Sequence, residues 1–207
     1  MKYMVISDIH GGVYELNKVL DIYNKEHCNK LIILGDLFNY GFDLNRDDIV
    51  NRLNLMKNNI IAARGNCDNN ISDILFDMPY INDFKFNDEK IIITHGHLYN
   101  KDYLSKLDCD IVLTGHSHIF DIEIINNKIF VNPGSISKSR SGENSFAIID
   151  ENNISIRNLY NNILREHKIK QWIIFSLFFS ISLKNNGKLS NGVECIYIFF
   201  SVSLFNM

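Results

Sequence analysis

Tyr3-Met4-Val5-Ile6-Ser7-Asp8-Ile9-His10-Gly11-Gly12 is an apolar run that breaks into polar residues and then into two glycines. A run this short and this apolar reads as a strand buried on both faces. Val13, Leu16, Val19, Leu20 and Tyr23 follow at the spacing of one helix face. The same alternation then recurs. Residues 31–34 form a second buried strand stopped by Gly35, residues 47–57 a second patterned helix, and residues 60–63 a third strand. The order β-α-β-α-β predicts a parallel sheet with helices on its faces.

After Pro79 the pattern changes. Residues 84–86 and 90–94 flank Asn87-Asp88-Glu89, which reads as a hairpin turn. Further short strands are expected at residues 111–114, 121–125, 128–131 and 146–149, with polar turns at Asn126-Asn127 and near Gly142. This half is strand-rich and is expected to be antiparallel. The fold class is therefore α/β, with two packed sheets and helices outside them.

Composition sets bounds on function. The chain has 207 residues, 46% hydrophobic and 22% charged, enough for one cored domain with an appendage. A formal net charge of -3, without a run of Lys and Arg, gives no electrostatic reason to expect a nucleic-acid binder. Cys28, Cys67, Cys109 and Cys195 show no CxxC spacing, which argues against a zinc ribbon. Reduced thiols and the absence of a leader pattern at Met1 point to the cytoplasm.

Five short motifs carry the chemistry, each placed just after an expected strand: Asp8-Ile9-His10, Gly35-Asp36, Gly65-Asn66-Cys67-Asp68, His95-Gly96-His97 and Gly115-His116-Ser117-His118. Alternate residues of an extended segment share a side, so Asp8 and His10 can grip one ion, and His116 and His118 can do the same. Asp36 has two oxygens and can bridge two cations. Asn66 offers a neutral carbonyl oxygen. Oxygen and imidazole ligands without thiolate suit Mn, Fe, Zn, Co or Ni rather than a structural zinc site. In open α/β sheets, sites form at the carboxyl ends of strands, where all five motifs fall. Taken singly, Asp-x-His or Gly-Asp is common and says little. In conjunction they hold five of the seven histidines, leaving His27 and His167 as expected surface residues.

In this order the motifs resemble the calcineurin-like metallophosphoesterase superfamily, whose pattern is Asp-x-His, Gly-Asp, Gly-Asn, His and Gly-His-x-His. Within it the chain is most similar to the YfcE-like branch of small bacterial and archaeal phosphodiesterases. That similarity rests on Gly35-Asp36-Leu37-Phe38-Asn39-Tyr40-Gly41, Arg64-Gly65-Asn66-Cys67-Asp68 and Val131-Asn132-Pro133-Gly134-Ser135. The resemblance implies an αββα sandwich of two mixed sheets. It also implies two divalent ions, manganese first among the candidates. Asp8, His10, Asp36 and His118 would hold one, and Asp36, Asn66, His95 and His116 the other. A bridging water or hydroxide would attack phosphorus in line, in a centre whose ions lie roughly 3.5–4 Å apart. Arg64 is a candidate for contacting a phosphate oxygen.

Three positions depart from the family pattern: Cys67 where many members carry His, Phe42 where Pro is frequent, and Lys138-Ser139-Arg140, which lacks a Pro before the Arg. A thiol is a poor proton donor beside an imidazolium. Cys67 thus favours leaving groups that need little protonation, with His97 as another possible donor.

The expected function is a metal-dependent phosphodiesterase acting on a small phosphodiester. The alternatives are a phosphomonoesterase or a non-catalytic scaffold of the same fold. The expected domain spans residues 1–160, and residues 161–207 form an apolar tail dispensable to that domain. Within the tail, residues 169–183 are too few for a confident membrane span. The tail reads as a partner-binding or interfacial helix, as an added packing element, or as translated AT-rich sequence in a non-native frame, with the last slightly favoured by its Phe, Ile, Asn and Lys bias.

Overall fold

Apolar runs in the first half of the chain follow from strands covered on both sides. The computed structural model describes residues 1–41 and 43–169. In β1 (Tyr3–Ile6), Met4 and Ile6 face one core while Tyr3 and Val5 face another. β2 (Lys30–Ile33) divides in the same way, with Leu31 and Ile33 on one side and Ile32 on the other. A period of two set between two apolar layers leaves β1 without a polar residue and β2 with only Lys30, at its start.

The first core lies under α1 (Val13–Lys25) and α2 (Arg46–Leu55), which bury Leu16, Val19, Ile49 and Leu53 against the sheet. β3 (Ile60–Ala62) completes the parallel set β1-β2-β3. The second core lies between two sheets. The far sheet comprises β4 (Ile81–Phe86), β5 (Glu89–Thr94), β6 (Ile111–Leu113), β7 (Phe120–Ile125) and β8 (Lys128–Pro133), in the order β4-β5-β6-β8-β7. Phe86, Ile91, Ile93, Ile111, Leu113 and Val131 point into the inter-sheet layer. A third, smaller core of Ile92, Leu104, Cys109, Val112 and Phe130 sits under α3 (Lys101–Ser105). The layers are α, β, β and α, as expected.

The second half is not purely antiparallel. β5, β6 and β8 run parallel, and only the flanking pairs β4/β5 and β7/β8 are antiparallel. α3 supplies the crossover from β5 to β6, but its five residues give too little periodicity to reveal it. β9 (Ser145–Ile149) leaves this sheet altogether. It pairs antiparallel with β1, so with β10 (Asn153–Asn158) and β11 (Ile163–Lys168) the first sheet reads β11-β10-β9-β1-β2-β3.

The compact unit runs Met1–Ile169, past the boundary expected at residue 160. β10 and β11 form an antiparallel pair at the sheet edge. Asn161 donates to Glu26 Oε1 at 2.9 Å, Arg165 pairs with Asp121 at 2.6 Å, and Ile169 is buried in the inter-sheet core. β11 keeps one polar, exposed face, so its sequence does not look like a core strand. Residues from 170 onward, which hold most of the apolar tail, and Phe42 lie outside the described residues. Among the described residues no helix is long and apolar enough to cross a membrane.

A chain ended after Asn162 should be less stable than one ended after Ile169 by at least about 2 kcal/mol, the scale of one buried Ile. Urea denaturation of the two truncations measures this. Equal midpoints and slopes would show that β11 and Ile169 contribute nothing.

Candidate metal centre

The parallel strands of both sheets end at one place. Asp8, Asp36 and Asn66 follow β1, β2 and β3 of the first sheet, while His95, His116 and His118 follow β5 and β6 of the second. Each chain turns sharply as it leaves its strand. Asp8, His10, Asp36, His116 and His118 all have positive φ, between 42° and 67°. Such left-handed backbone at non-glycine residues is uncommon, costs on the order of 1 kcal/mol each, and clusters at functional sites. Turning of the backbone, and not extended alternation, is thus what gathers Asp8 with His10 and sets the backbone at His116 and His118. The turns need close approach: a Cβ on Gly65 would lie 2.1 Å from Asp36 Oδ1, and one on Gly35 2.4 Å from the Gly65 nitrogen.

Ring tautomers follow from the backbone. His10 Nδ1 faces the Phe38 carbonyl at 3.1 Å, His118 Nδ1 the Lys138 carbonyl at 2.7 Å, and His95 Nδ1 the Leu34 carbonyl at 2.7 Å. A carbonyl only accepts, so each Nδ1 carries a proton, and in the neutral ring each Nε2 presents a lone pair. Those lone pairs converge on oxygens. His10 and His118 Nε2 are 3.2 Å apart, and His118 Nε2 is 3.2 Å from Asp8 Oδ1. His95 Nε2 lies 3.1 Å from Asn66 Oδ1 and 3.3 Å from Asp36 Oδ2.

Atoms that share an ion at about 2.1 Å stand roughly 3.0–3.5 Å from one another in octahedral or tetrahedral geometry. The contacts of His118 with Asp8 and of His95 with Asn66 and Asp36 fall in that range, and those of His10 with Asp8 and Asp36 lie just beyond it, at 3.7 and 3.6 Å. Asp36 Oδ2 belongs to both clusters, at 3.6 Å from His10 Nε2 and 3.3 Å from His95 Nε2, while its Oδ1 accepts the Cys67 N–H at 2.8 Å. Asp8 Oδ1 is buried without a hydrogen-bond partner. Converging carboxylate and imidazole groups, with an orphaned carboxylate oxygen among them, fit the binding of a cation.

The comparisons with known proteins agree with this chemistry. Residues 1–153 match the model of the calcineurin-like phosphoesterase superfamily domain. The chain belongs to that superfamily. It is 30% identical to phosphodiesterase YfcE of Escherichia coli K12 over 167 residues, covering 75% of this chain and 91% of that one. The crystal structure of that E. coli phosphoesterase superposes with a TM-score of 0.76, over 82% of this chain and all of the other. Phosphodiesterase MJ0936 of Methanocaldococcus jannaschii is 27% identical over 166 residues, 72% of this chain and 93% of its own. Vps29 of Entamoeba histolytica, solved in complex with zinc, shares the fold, with a TM-score of 0.59 at 22% identity over 82% of this chain and 100% of that one. Membership places this calcineurin-like chain among the hydrolases of phosphate esters.

Electrostatics in this phosphoesterase centre divide its groups. Burial raises the Asp8 carboxyl, but His10 and His118 outweigh it and hold it well below the usual range. Asp36 is likewise raised by burial and lowered further by His95. Burial lowers the imidazolium of His95, but Asp36 and Asp8 raise it more. Asp8 raises His118, whereas burial and the nearby His95 lower both His97 and His116. Burial, with Asp36 alongside, pushes the Cys67 thiol up to about 12. The carboxylates therefore stay ionised and the thiol stays protonated.

The remaining candidates surround the cluster. The His116 ring stands edge-on to His95, centroids 5.1 Å apart, and is exposed. His97 lies 5.3 Å from the His95 ring, with its Nδ1 buried and unpartnered. Arg64 packs over Tyr80 with a buried, unpartnered Nε. His27 is exposed as expected, but His167 is half-buried, with an unpartnered Nε2.

Sequence reasoning gave no role to Asp68. It is 1% exposed and accepts the N–H groups of Asp36, Leu37 and Gly65 at 2.8–2.9 Å. One carboxylate thus ties the Asp36 turn to the Asn66 turn. Ser135 does the equivalent for β1, donating to the Asp8 carbonyl at 2.7 Å. Asp68 stood two residues after Asn66, which was read as a ligand, so an acid beside a ligand loop was the available signal; Ser135 stood in the Val131–Ser135 motif, which held no expected ligand. Replacing Asp68 by Asn turns one acceptor into a donor facing donors. D68N should cost about 2–4 kcal/mol, from lost bonds to a charged acceptor, and weaken metal affinity about 10–100-fold. Denaturation and metal titration measure these. Unchanged affinity would show that Asp68 does not set the turn.

Proposed function

We propose that the chain is a phosphodiesterase whose centre holds two divalent cations, one by Asp8, His10, Asp36 and His118 and one by Asp36, Asn66, His95 and His116. The observation that carries this is Asp36 Oδ2 placed between the lone pairs of His10 and His95. Bound there, the two ions supply Lewis-acid charge for the phosphate and lower the pKa of a water poised for in-line attack. The chain's own residues do the rest. Arg64, whose Nε lacks a partner, offers a charge-assisted contact to a phosphate oxygen. His97, whose ring lies 5.3 Å from that of His95, is the candidate donor to the departing oxygen. The products are a phosphomonoester and an alcohol.

Converging unprotonated ligands favour catalysis over a non-catalytic scaffold. Hard oxygen and imidazole donors suit manganese among the possible ions, with Ni, Zn, Fe or Co as alternatives. The free, buried Cys28, Cys67 and Cys109 suit the reducing cytoplasm.

Metal-stripped protein should hydrolyse an activated aryl diester faster than the matching monoester once manganese is restored, and chelator should abolish the activity. D36N should lower turnover by more than about 100-fold, beyond the loss typical of residues that only support ligands. Near-normal D36N turnover would exclude the shared-ligand centre.

Cys67 is a thiol where an imidazole would be the better acid. Rates should therefore fall steeply as the leaving group becomes more basic, and C67H should flatten that dependence. An unchanged slope across a series of substituted phenyl diesters would remove Cys67 from any effect on leaving-group departure.

A further inference from the structure

A cleft of about 370 Å³ adjoins the centre, with His116 and Gly115 in the wall nearest to it. It lies between α3, β7, β8 and the loops that follow β5 and β6, and none of the roles assigned above uses it. Its apolar lining includes Leu104 and Phe130 of the third core, and Ile119, half exposed at the surface. Tyr99 also lines it, backed by Tyr103 in a stack with centroids 5.4 Å apart and planes 23° apart. A tyrosine held in this way offers an aromatic surface for stacking.

The polar lining decides what the cleft takes. The Asn132 amide is committed, donating to the Gly115 carbonyl and the Ser117 hydroxyl and accepting the Gly134 N–H. The charged groups are Asp121, Glu123 and Lys101, two carboxylates against one ammonium. Lys101 is already paired with Glu123, and Asp121 with Arg165. No free cation among the lining residues waits for an anion. A phosphate placed here would find both nearby cations, Lys101 and Arg165, already engaged by carboxylates, whereas the hydroxyls of an uncharged arm could donate to those carboxylates. The volume lies at the lower end of small-molecule sites, suited to a single arm of nucleoside size.

We infer that this cleft is the subsite for one organic arm of the diester, an uncharged arm with a flat aromatic group, of nucleoside size, and that it discriminates against arms bearing a further phosphate. The inference rests on the phosphodiesterase reading of the centre and narrows it: the substrate is a small diester and not a polynucleotide.

The test uses manganese-loaded full-length protein and three diesters with one common leaving group, 4-nitrophenolate. The second arm is methyl, thymidine through its 5′ oxygen, or the same thymidine carrying a 3′-phosphate. The expected KM for the thymidine ester is about tenfold below that for the methyl ester, the low end of base-stacking energies. The 3′-phosphate should reverse that gain. Y99A should raise KM for the thymidine ester about tenfold and leave the methyl ester unchanged, and E123Q should narrow the gap caused by the 3′-phosphate. Hydrolysis of all three esters with equal KM would overturn the subsite while sparing the phosphodiesterase reading. Failure to hydrolyse any of them would overturn that reading and the subsite with it.

Discussion

Two buried carboxylates, Asp8 and Asp36, face imidazole nitrogens whose protons are committed elsewhere, and the rest of the molecule is arranged around that confrontation. Ionised acids at 0% and 2% exposure are costly unless positive charge meets them. Backbone carbonyls of Phe38, Leu34 and Lys138 fix the tautomers of His10, His95 and His118, so those rings offer lone pairs rather than protons. Cations bound there would offset that cost, and metal binding would then be coupled to the folded state.

The sandwich explains how such a site is assembled. Asp8, Asp36 and Asn66 come from one sheet, and His95, His116 and His118 come from the other. Ligand spacing is therefore set by how the two sheets pack through Val5, Ile32, Ile93, Leu113 and Val131. Asp68 and Ser135 then hold individual turns in register, each through bonds to backbone. Strain accepted at five left-handed residues is held by this packing, a pattern expected of a site and not of a plain loop.

Much of this was legible in the sequence, for identifiable reasons. β1 and β2 are apolar on both faces, so strand, turn and ligand motif stood out together. What stayed hidden lacked a local signal. α3 is too short to show periodicity, and β8 sits between β6 and β7 so that β7 is not beside its predecessor, which no spacing reveals. β11 exposes Arg165, Glu166 and Lys168, and so it read as tail. The left-handed turns at Asp8 and His116 are taken by non-glycine residues, and composition does not report φ. Asp68 was visible as a residue but not as a clamp, since its three partners are backbone groups from two loops.

The central claim is that Asp36 Oδ2 joins two ion sites. Anomalous diffraction from crystals soaked in manganese tests it most directly. The account predicts two peaks on either side of Asp36, one beside His10 and His118 and the other beside Asn66 and His95. A single peak, or metal held without Asp36 between the sites, would contradict it.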